Sequence, residues 1–117
     1  MDESLPKTER LCGQKAVEDL FSRGKSLSEG CLRLRFLDRA DGDPSRMMVS
    51  VPKRHFKRAV RRNLLKRRIR ESYRRQKALA GPGKDLLFIY LPREVQPYEA
   101  IFADMTRLLS SFTASHE

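Results

Sequence analysis

Between Lys53 and Lys77 the chain carries 13 Lys and Arg and one acidic residue, Glu71, a net charge of +12 in 25 residues. Charge at that density cannot be buried unpaired, so whatever element this segment forms must keep one long side in water. From Ala59 to about Ala80 it contains no Gly or Pro and is rich in Arg, Lys and Leu, which predicts a helix. At about 100° per residue, Asn63, Lys66, Arg67, Arg70, Arg74 and Lys77 share an arc of about 100°, and Leu65, Ile69, Ser72, Gln76 and Leu79 lie roughly opposite. Such a helix docks by a narrow apolar stripe and holds a row of cations towards solvent. Gly81-Pro82-Gly83 stops it.

The rest of the chain must then supply most of the core. Gln14 to Ser22 suits a short helix, with Ala16, Val17, Leu20 and Phe21 on one face and Gly24 placed as a C-cap. Leu32, Leu34 and Phe36 alternate with Arg33 and Arg35, the pattern of a half-buried strand. Asp41-Gly42-Asp43-Pro44 is a turn, and Met47 to Val51 reads as the strand returning from it, a hairpin that Pro52 ends. Leu86 to Leu91 is a continuous apolar run between turn signals, which predicts a central strand buried on both faces. A last helix opens near Pro97, with Tyr98, Ile101, Phe102, Met105, Leu108, Leu109 and Phe112 on one side. The segment 1–10 reads as an extended lead-in and Thr113 to Glu117 as a frayed tail.

The order is α-β-β-(β)-α-β-α, with room for one further short strand. A strand, the basic helix and the apolar strand form a βαβ unit, hence a parallel pairing in a mixed sheet. The fold class is therefore an α/β (α+β) two-layer sandwich with helices on one face of a mixed central sheet. With 117 residues, one domain spanning 1–117 is expected, its ordered core at about 8–113.

Composition removes several function classes. No stretch approaches the roughly 20 apolar residues of a membrane span. The acidic start, Met1-Asp2-Glu3-Ser4, is not a secretory signal. Cys12 and Cys31 read as reduced cytosolic thiols, and with His55 and His116 they lack zinc-site spacing; a cytoplasmic location is expected. For catalysis the chain is poor. His55 is flanked by cations and has no second histidine outside the tail to work with, Ser50 and Ser72 lack a base, and no strand carries a carboxylate in its middle for a metal-dependent nuclease. No catalytic residue and no metal ligand is assigned.

What remains is a polyanion. The whole chain has net charge +10, and nearly all the excess lies in one segment, where local charge density drives counterion release. Like-charged pairs such as Lys66/Arg70 and Arg70/Arg74 each cost a few tenths of a kcal/mol, a cost an anionic partner offsets. The preference for Arg within the helix favours bidentate phosphate contacts, hence nucleic acid. A membrane-surface helix is the weaker reading, because Ser72 and Gln76 interrupt the apolar stripe. Arg33 and Arg35 on the strand, with Phe21 nearby in sequence, suggest a second surface for a single strand; the plainer reading buries Phe21 in the core.

The stretch Arg62-Asn63-Leu64-Leu65-Lys66-Arg67-Arg68-Ile69-Arg70-Glu71, after Ser50-Val51-Pro52-Lys53-Arg54, resembles the signature of the bacterial ribonuclease P protein component family. That family carries an Arg-Asn-Arg-x-x-Lys-Arg-x-x-Arg-like spacing on a helix, after a strand ending in Ser-Val-x-Lys-Lys/Arg. Arg10-Leu11 and Phe21-x-x-Gly24 resemble the family's opening, and Leu86 to Leu91 with Tyr98-Glu99 its end, so the likeness covers roughly residues 8–113. It implies a sandwich like the second domain of ribosomal protein S5, with a left-handed crossover that departs from the usual right-handed rule. It also implies a partner RNA that performs the hydrolysis with magnesium, and removal of the 5′ leader of precursor tRNA. Carried over, Lys53, Arg54, Arg58, Arg62, Asn63, Lys66, Arg67, Arg70 and Arg74 bind the catalytic RNA. Val17, Phe21, Arg33 and Arg35 line a cleft for the leader. Two departures stand out: Leu64 replaces the motif's second arginine, and Val17 and Arg35 stand where aromatics are common, which favours backbone contacts over stacking. No cofactor is expected on the protein itself, and neither a membrane nor DNA is expected as a partner. The rival readings are a ribosomal or RNA-assembly binding protein and a nuclease acting alone.

Overall fold

The computed structural model of the chain describes Leu11, residues 13–39 and residues 44–115. The lead-in 1–10, Cys12, Asp41 to Asp43 of the predicted turn, and His116 lie outside the described residues. The elements are α1 (Gln14–Arg23), β1 (Lys25–Glu29), β2 (Leu32–Asp38), β3 (Arg46–Ser50), α2 (Ala59–Gln76), β4 (Lys84–Tyr90) and α3 (Tyr98–Ser115), with a 3-10 turn at Lys77–Leu79 after α2. The optional extra strand is therefore present, as β1. It has a single apolar residue, Leu27, so alternation barely marks it. The last helix continues to Ser115 rather than fraying at Thr113.

The sheet order is β1-β2-β4-β3. β1 pairs antiparallel with β2, β2 antiparallel with β4, and β3 parallel with β4. This corrects the expected hairpin between Leu32–Leu37 and Met47–Val51. Those two strands never pair, because β4 lies between them, and the hairpin is β1–β2 around Gly30. The physical reason is apolarity. β4 is buried along nearly its whole length and takes the central position, where both faces are covered, which leaves β3 an edge. The parallel β3–β4 pairing joined through α2 is the predicted βαβ unit.

Helices cover both faces rather than one. Leu32, Leu34, Met47, Val49, Leu86, Phe88 and Tyr90 face a core shared with Leu65, Ile69 and Tyr73 of α2 and Ile101, Met105, Leu108 and Phe112 of α3. On the reverse face Leu20 of α1, with Leu11, packs on Leu87, flanked by Met48 and Ile89. Strand alternation produces this split, since Leu87 and Ile89 point away from Leu86 and Phe88. α1 is the helix on that face.

The hairpin turn is tied to α3. Gly30 has φ +53°, and a Cβ there would lie 2.3–2.6 Å from the Asp104 carboxyl group. Asp104 Oδ2 accepts a 2.9 Å bond from the Cys31 amide and its other oxygen meets Arg107. Burial pushes the Asp104 carboxyl up, but the Cys31 amide and thiol and the Arg107 guanidinium outweigh it and hold it below the ordinary value. Cys31 is a free, buried thiol, pushed up to about 12 by burial and then by Asp104.

Candidate nucleic-acid interface

α2 is anchored by Leu65, Ile69, Ser72, Tyr73 and Gln76. Four of these are the predicted stripe. Tyr73 joins it, and Leu79 leaves it, because the 3-10 turn rotates Leu79 into solvent at 41% exposure. The polar members are satisfied locally: Ser72 Oγ donates to the Ile69 carbonyl at 2.9 Å and Gln76 Nε2 to the Phe102 carbonyl at 3.2 Å. The stripe's Ser72 and Gln76 are therefore paired where it docks on α3 and the sheet.

On the outward side Asn63, Arg67 and Arg70 are exposed and Lys66 half-buried. Among the described residues no carboxylate pairs with Lys66, Arg67 or Arg70. The one acid of the segment, Glu71, is taken by Arg74, with bonds of 2.7 and 3.0 Å, and by Arg75 at 3.7 Å. Arg74 is thereby drawn out of the row of unpaired cations. Lys53 and Arg54 are exposed in the turn after β3, and Arg58 is exposed at the N-cap of α2.

Arg62 holds a different position from the one its place in the motif predicts. Its Nη1 donates to the carbonyls of Phe56 at 2.6 Å and Lys57 at 3.0 Å, clamping the loop before α2. Arg68, one turn and a half further on, donates to the Gln96 carbonyl at 2.6 Å and clamps the loop after β4. Periodicity places a guanidinium on a helix face but cannot show that a backbone carbonyl waits beside it.

The four residues expected to line a cleft lie on two neighbouring elements, Val17 and Phe21 on α1 and Arg33 and Arg35 on β2. Val17 is half-buried and Arg33 exposed, with Nε donating to Ser28 Oγ at 3.4 Å. Phe21 is not core; it is 55% exposed. Arg35 reaches across to the end of α1, where its guanidinium donates to the carbonyls of Leu20 at 3.1 Å, Phe21 at 3.0 Å and Gly24 at 3.4 Å, and to Ser26 Oγ at 3.0 Å. The Phe21 carbonyl lies in the last turn of α1, where no following turn supplies a donor, and the Leu20 carbonyl also accepts from the Gly24 amide at 3.0 Å. The same guanidinium lies 5.2 Å from the Phe21 ring centroid, within cation–π range. This face therefore presents one exposed aromatic ring, Phe21, against the Arg35 guanidinium, and the exposed Arg33 further along β2. Arg93, His55 and Arg61, which the sequence reading did not group, meet at the start of α2.

Among the described residues no three His, Cys, Asp or Glu side chains converge as metal ligands. Asp85 is buried and held by Arg46 at 2.8 and 2.9 Å and Arg39 at 3.2 Å.

The family model for ribonuclease P matches residues 5–113. The chain belongs to the ribonuclease P protein family. It is 32% identical over 107 residues to the ribonuclease P protein component of Synechocystis, covering 91% of this chain and 86% of that one. It is 36% identical over 102 residues to the component from Thermotoga maritima, covering 86% and 85%. The solved ribonuclease P protein of Thermotoga maritima superimposes with a TM-score of 0.77 at 29% identity, over 88% of this chain and 96% of that one. The Staphylococcus aureus ribonuclease P protein, at 23% identity, shares the fold with a TM-score of 0.79, over 91% and 96%.

Proposed function

We propose that this chain is the protein subunit of a ribonuclease P ribonucleoprotein in the cytoplasm. It binds the catalytic RNA through the outer side of α2 and the 5′ leader of precursor tRNA along the face of α1 and β2, and it assists removal of the leader. The observation that carries the reading is the row Lys66, Arg67 and Arg70. These cations have no acidic partner among the described residues and sit on a helix whose other side is fixed in the core. A rigid row of unpaired cations lowers the repulsion between two RNA chains brought together and reduces the magnesium they require. Lys53, Arg54, Arg58 and Asn63 extend the surface. Phe21 offers a stacking plane to a leader base and Arg33 a contact to its backbone. The chemistry is assigned to the RNA and its magnesium, with no catalytic residue and no protein-bound metal.

The test is precursor-tRNA cleavage at low magnesium with protein alone, cognate ribonuclease P RNA alone, and both. Leader removal strong only in the mixture is the expected result. Cleavage by protein alone, or no enhancement by folded protein, refutes the reading.

A further inference from the structure

The two edges of the sheet are finished differently. Beside β3 the Leu11 amide donates to the Met47 carbonyl at 2.8 Å, and Pro52 closes the segment that follows. β1 carries no such cover. Lys25-Ser26-Leu27-Ser28-Glu29 pairs one-to-one with β2, without a bulge or a proline, so it lacks two of the devices that blunt a sheet edge.

The phase of the hydrogen bonding decides which groups this edge offers. The Leu91 amide donates to the Cys31 carbonyl at 3.0 Å, one step beyond the Leu32–Tyr90 pair. Backbone groups alternate sides along an antiparallel strand. Odd-numbered residues of β2 therefore bond to β4, and Leu32, Leu34 and Phe36 bond to β1. Their partners on β1 are Glu29, Leu27 and Lys25. The N–H and C=O groups of Ser26 and Ser28 are left pointing out of the sheet. Both residues are exposed, and among the described residues no other element bonds their backbone.

The edge is complementary to itself. In an antiparallel pairing centred on Leu27, Ser26 of one copy meets Ser28 of the other as a hydrogen-bonded pair, using the outward groups of both. The same register sets Lys25 opposite Glu29 on each side of the two-fold axis, in the closer, non-hydrogen-bonded positions where cross-strand charges interact. A shift by two residues keeps the hydrogen-bonding phase but sets Lys25 or Glu29 opposite Leu27. Charge therefore selects one register. Both charges are available for it: Lys25 is exposed with no carboxylate partner among the described residues, and Glu29 meets Arg107 at 3.5 Å, both side chains open to solvent.

The basic helix does not oppose this contact strongly. β1 is the edge opposite β3, the strand that leads into α2, about 14 Å across the sheet. That exceeds the screening length of about 8 Å at physiological salt.

We propose that the β1 edge docks a second copy of this chain, joining two four-stranded sheets into one across a two-fold axis. So short a contact belongs to the weak, transient class of interfaces. It does not rest on the ribonucleoprotein reading, since no residue of the α2 row takes part.

Sedimentation of the full chain from about 20 μM to about 1 mM, at about 0.15 M salt, reads the monomer–dimer equilibrium, and amide exchange reads the edge. A reversible dimer is expected, with the Ser26 and Ser28 amides protected only at the high end of the range. Lys25→Glu and Glu29→Lys each set like charges opposite one another twice per dimer and weaken it by about tenfold. An equimolar mixture of the two variants restores opposite charges and recovers the wild-type association to within about threefold, as does the chain carrying both substitutions. Ser28→Pro, which removes an outward amide and no β1–β2 bond, abolishes the dimer. A chain that stays monomeric at about 1 mM, a dimer that the single reversals leave within about twofold, or a mixture that fails to recover overturns the proposal. Ser26 and Ser28 amides that respond to a single-stranded oligoribonucleotide in a monomeric chain assign the edge to RNA and overturn the second copy as its occupant.

Discussion

Arg35→Ala should release the end of α1 before it affects anything else. The guanidinium satisfies carbonyls of Leu20, Phe21 and Gly24, and a cation at a helix C-terminus is favoured by up to about 2 kcal/mol when partly buried. The face contact with Phe21 adds about 0.5–1 kcal/mol, and the freed carbonyls regain water because the site is only half-buried, so the net cost is about 2 kcal/mol. For a chain of this length that is a fall in melting temperature of roughly 8 °C. Amide exchange in α1 should accelerate by about 30-fold, and amides of β4 and α3 that exchange only by global unfolding should follow the same loss of stability. Arg35→Lys should recover about half, since an ammonium keeps the charge but not the planar fork. Thermal unfolding and hydrogen exchange on the three proteins measure this. No acceleration of exchange in α1, or a melting change under about 2 °C for Arg35→Ala, refutes the capping argument.

The motif row gives an independent expectation. Arg67→Gln with Arg70→Gln should flatten the salt dependence of RNA binding by about 0.7–0.9 per lost phosphate contact with little change in melting, whereas Arg62→Gln should lower stability too, because it frees the Phe56 and Lys57 carbonyls. Asp104→Ala should cost about 1–3 kcal/mol at neutral pH by stranding the buried Cys31 amide. The folded carboxyl lies below its unfolded value, so its contribution is present above about pH 4 and is lost as pH falls through the folded pKa; acid unfolding of the two proteins should converge there. Gly30→Ala should destabilise by more than the roughly 1–2 kcal/mol of a left-handed residue alone, because its Cβ meets the Asp104 carboxyl group; chemical denaturation measures it. In a Cys12→Ser background, Cys31 should resist thiol reagents at pH 8 and label only as the chain unfolds, its thiol being buried and pushed up to about 12.

Much of this was legible because it is periodic. Leu65 and Ile69 opposite Arg67 and Arg70, and Leu32 and Leu34 against Arg33 and Arg35, declare their sides through spacing alone. The apolar run around Phe88 declared a central strand, but not that it separates β2 from β3. Strand order is decided by which edges remain to be covered, and that competition is non-local. β1 escaped because an edge strand with one half-buried Leu carries little alternation. Arg62, Arg68 and Arg35 were legible as cations and illegible as clamps, since each is fixed by carbonyls from a segment the helix or strand pattern does not contain. The position of Arg93 beside Arg61 depends on the β4 crossover, which no motif spans.

The strand at the middle of the sheet is the last to be synthesised. Until Lys84–Tyr90 is available, β2 has only the short β1 beside it and β3 has no strand to pair with. The first 80 or so residues therefore hold α1, a hairpin, an unpaired strand and a highly charged helix whose apolar stripe lacks β4 and α3 to rest on. Closing the sheet requires contacts between segments far apart in the chain, which slows folding and makes it depend on arrival of the C-terminal third. A cut or stop codon before Lys84 is thus not a trimming of the molecule: it removes the keystone, and what remains is a polycation without a fold.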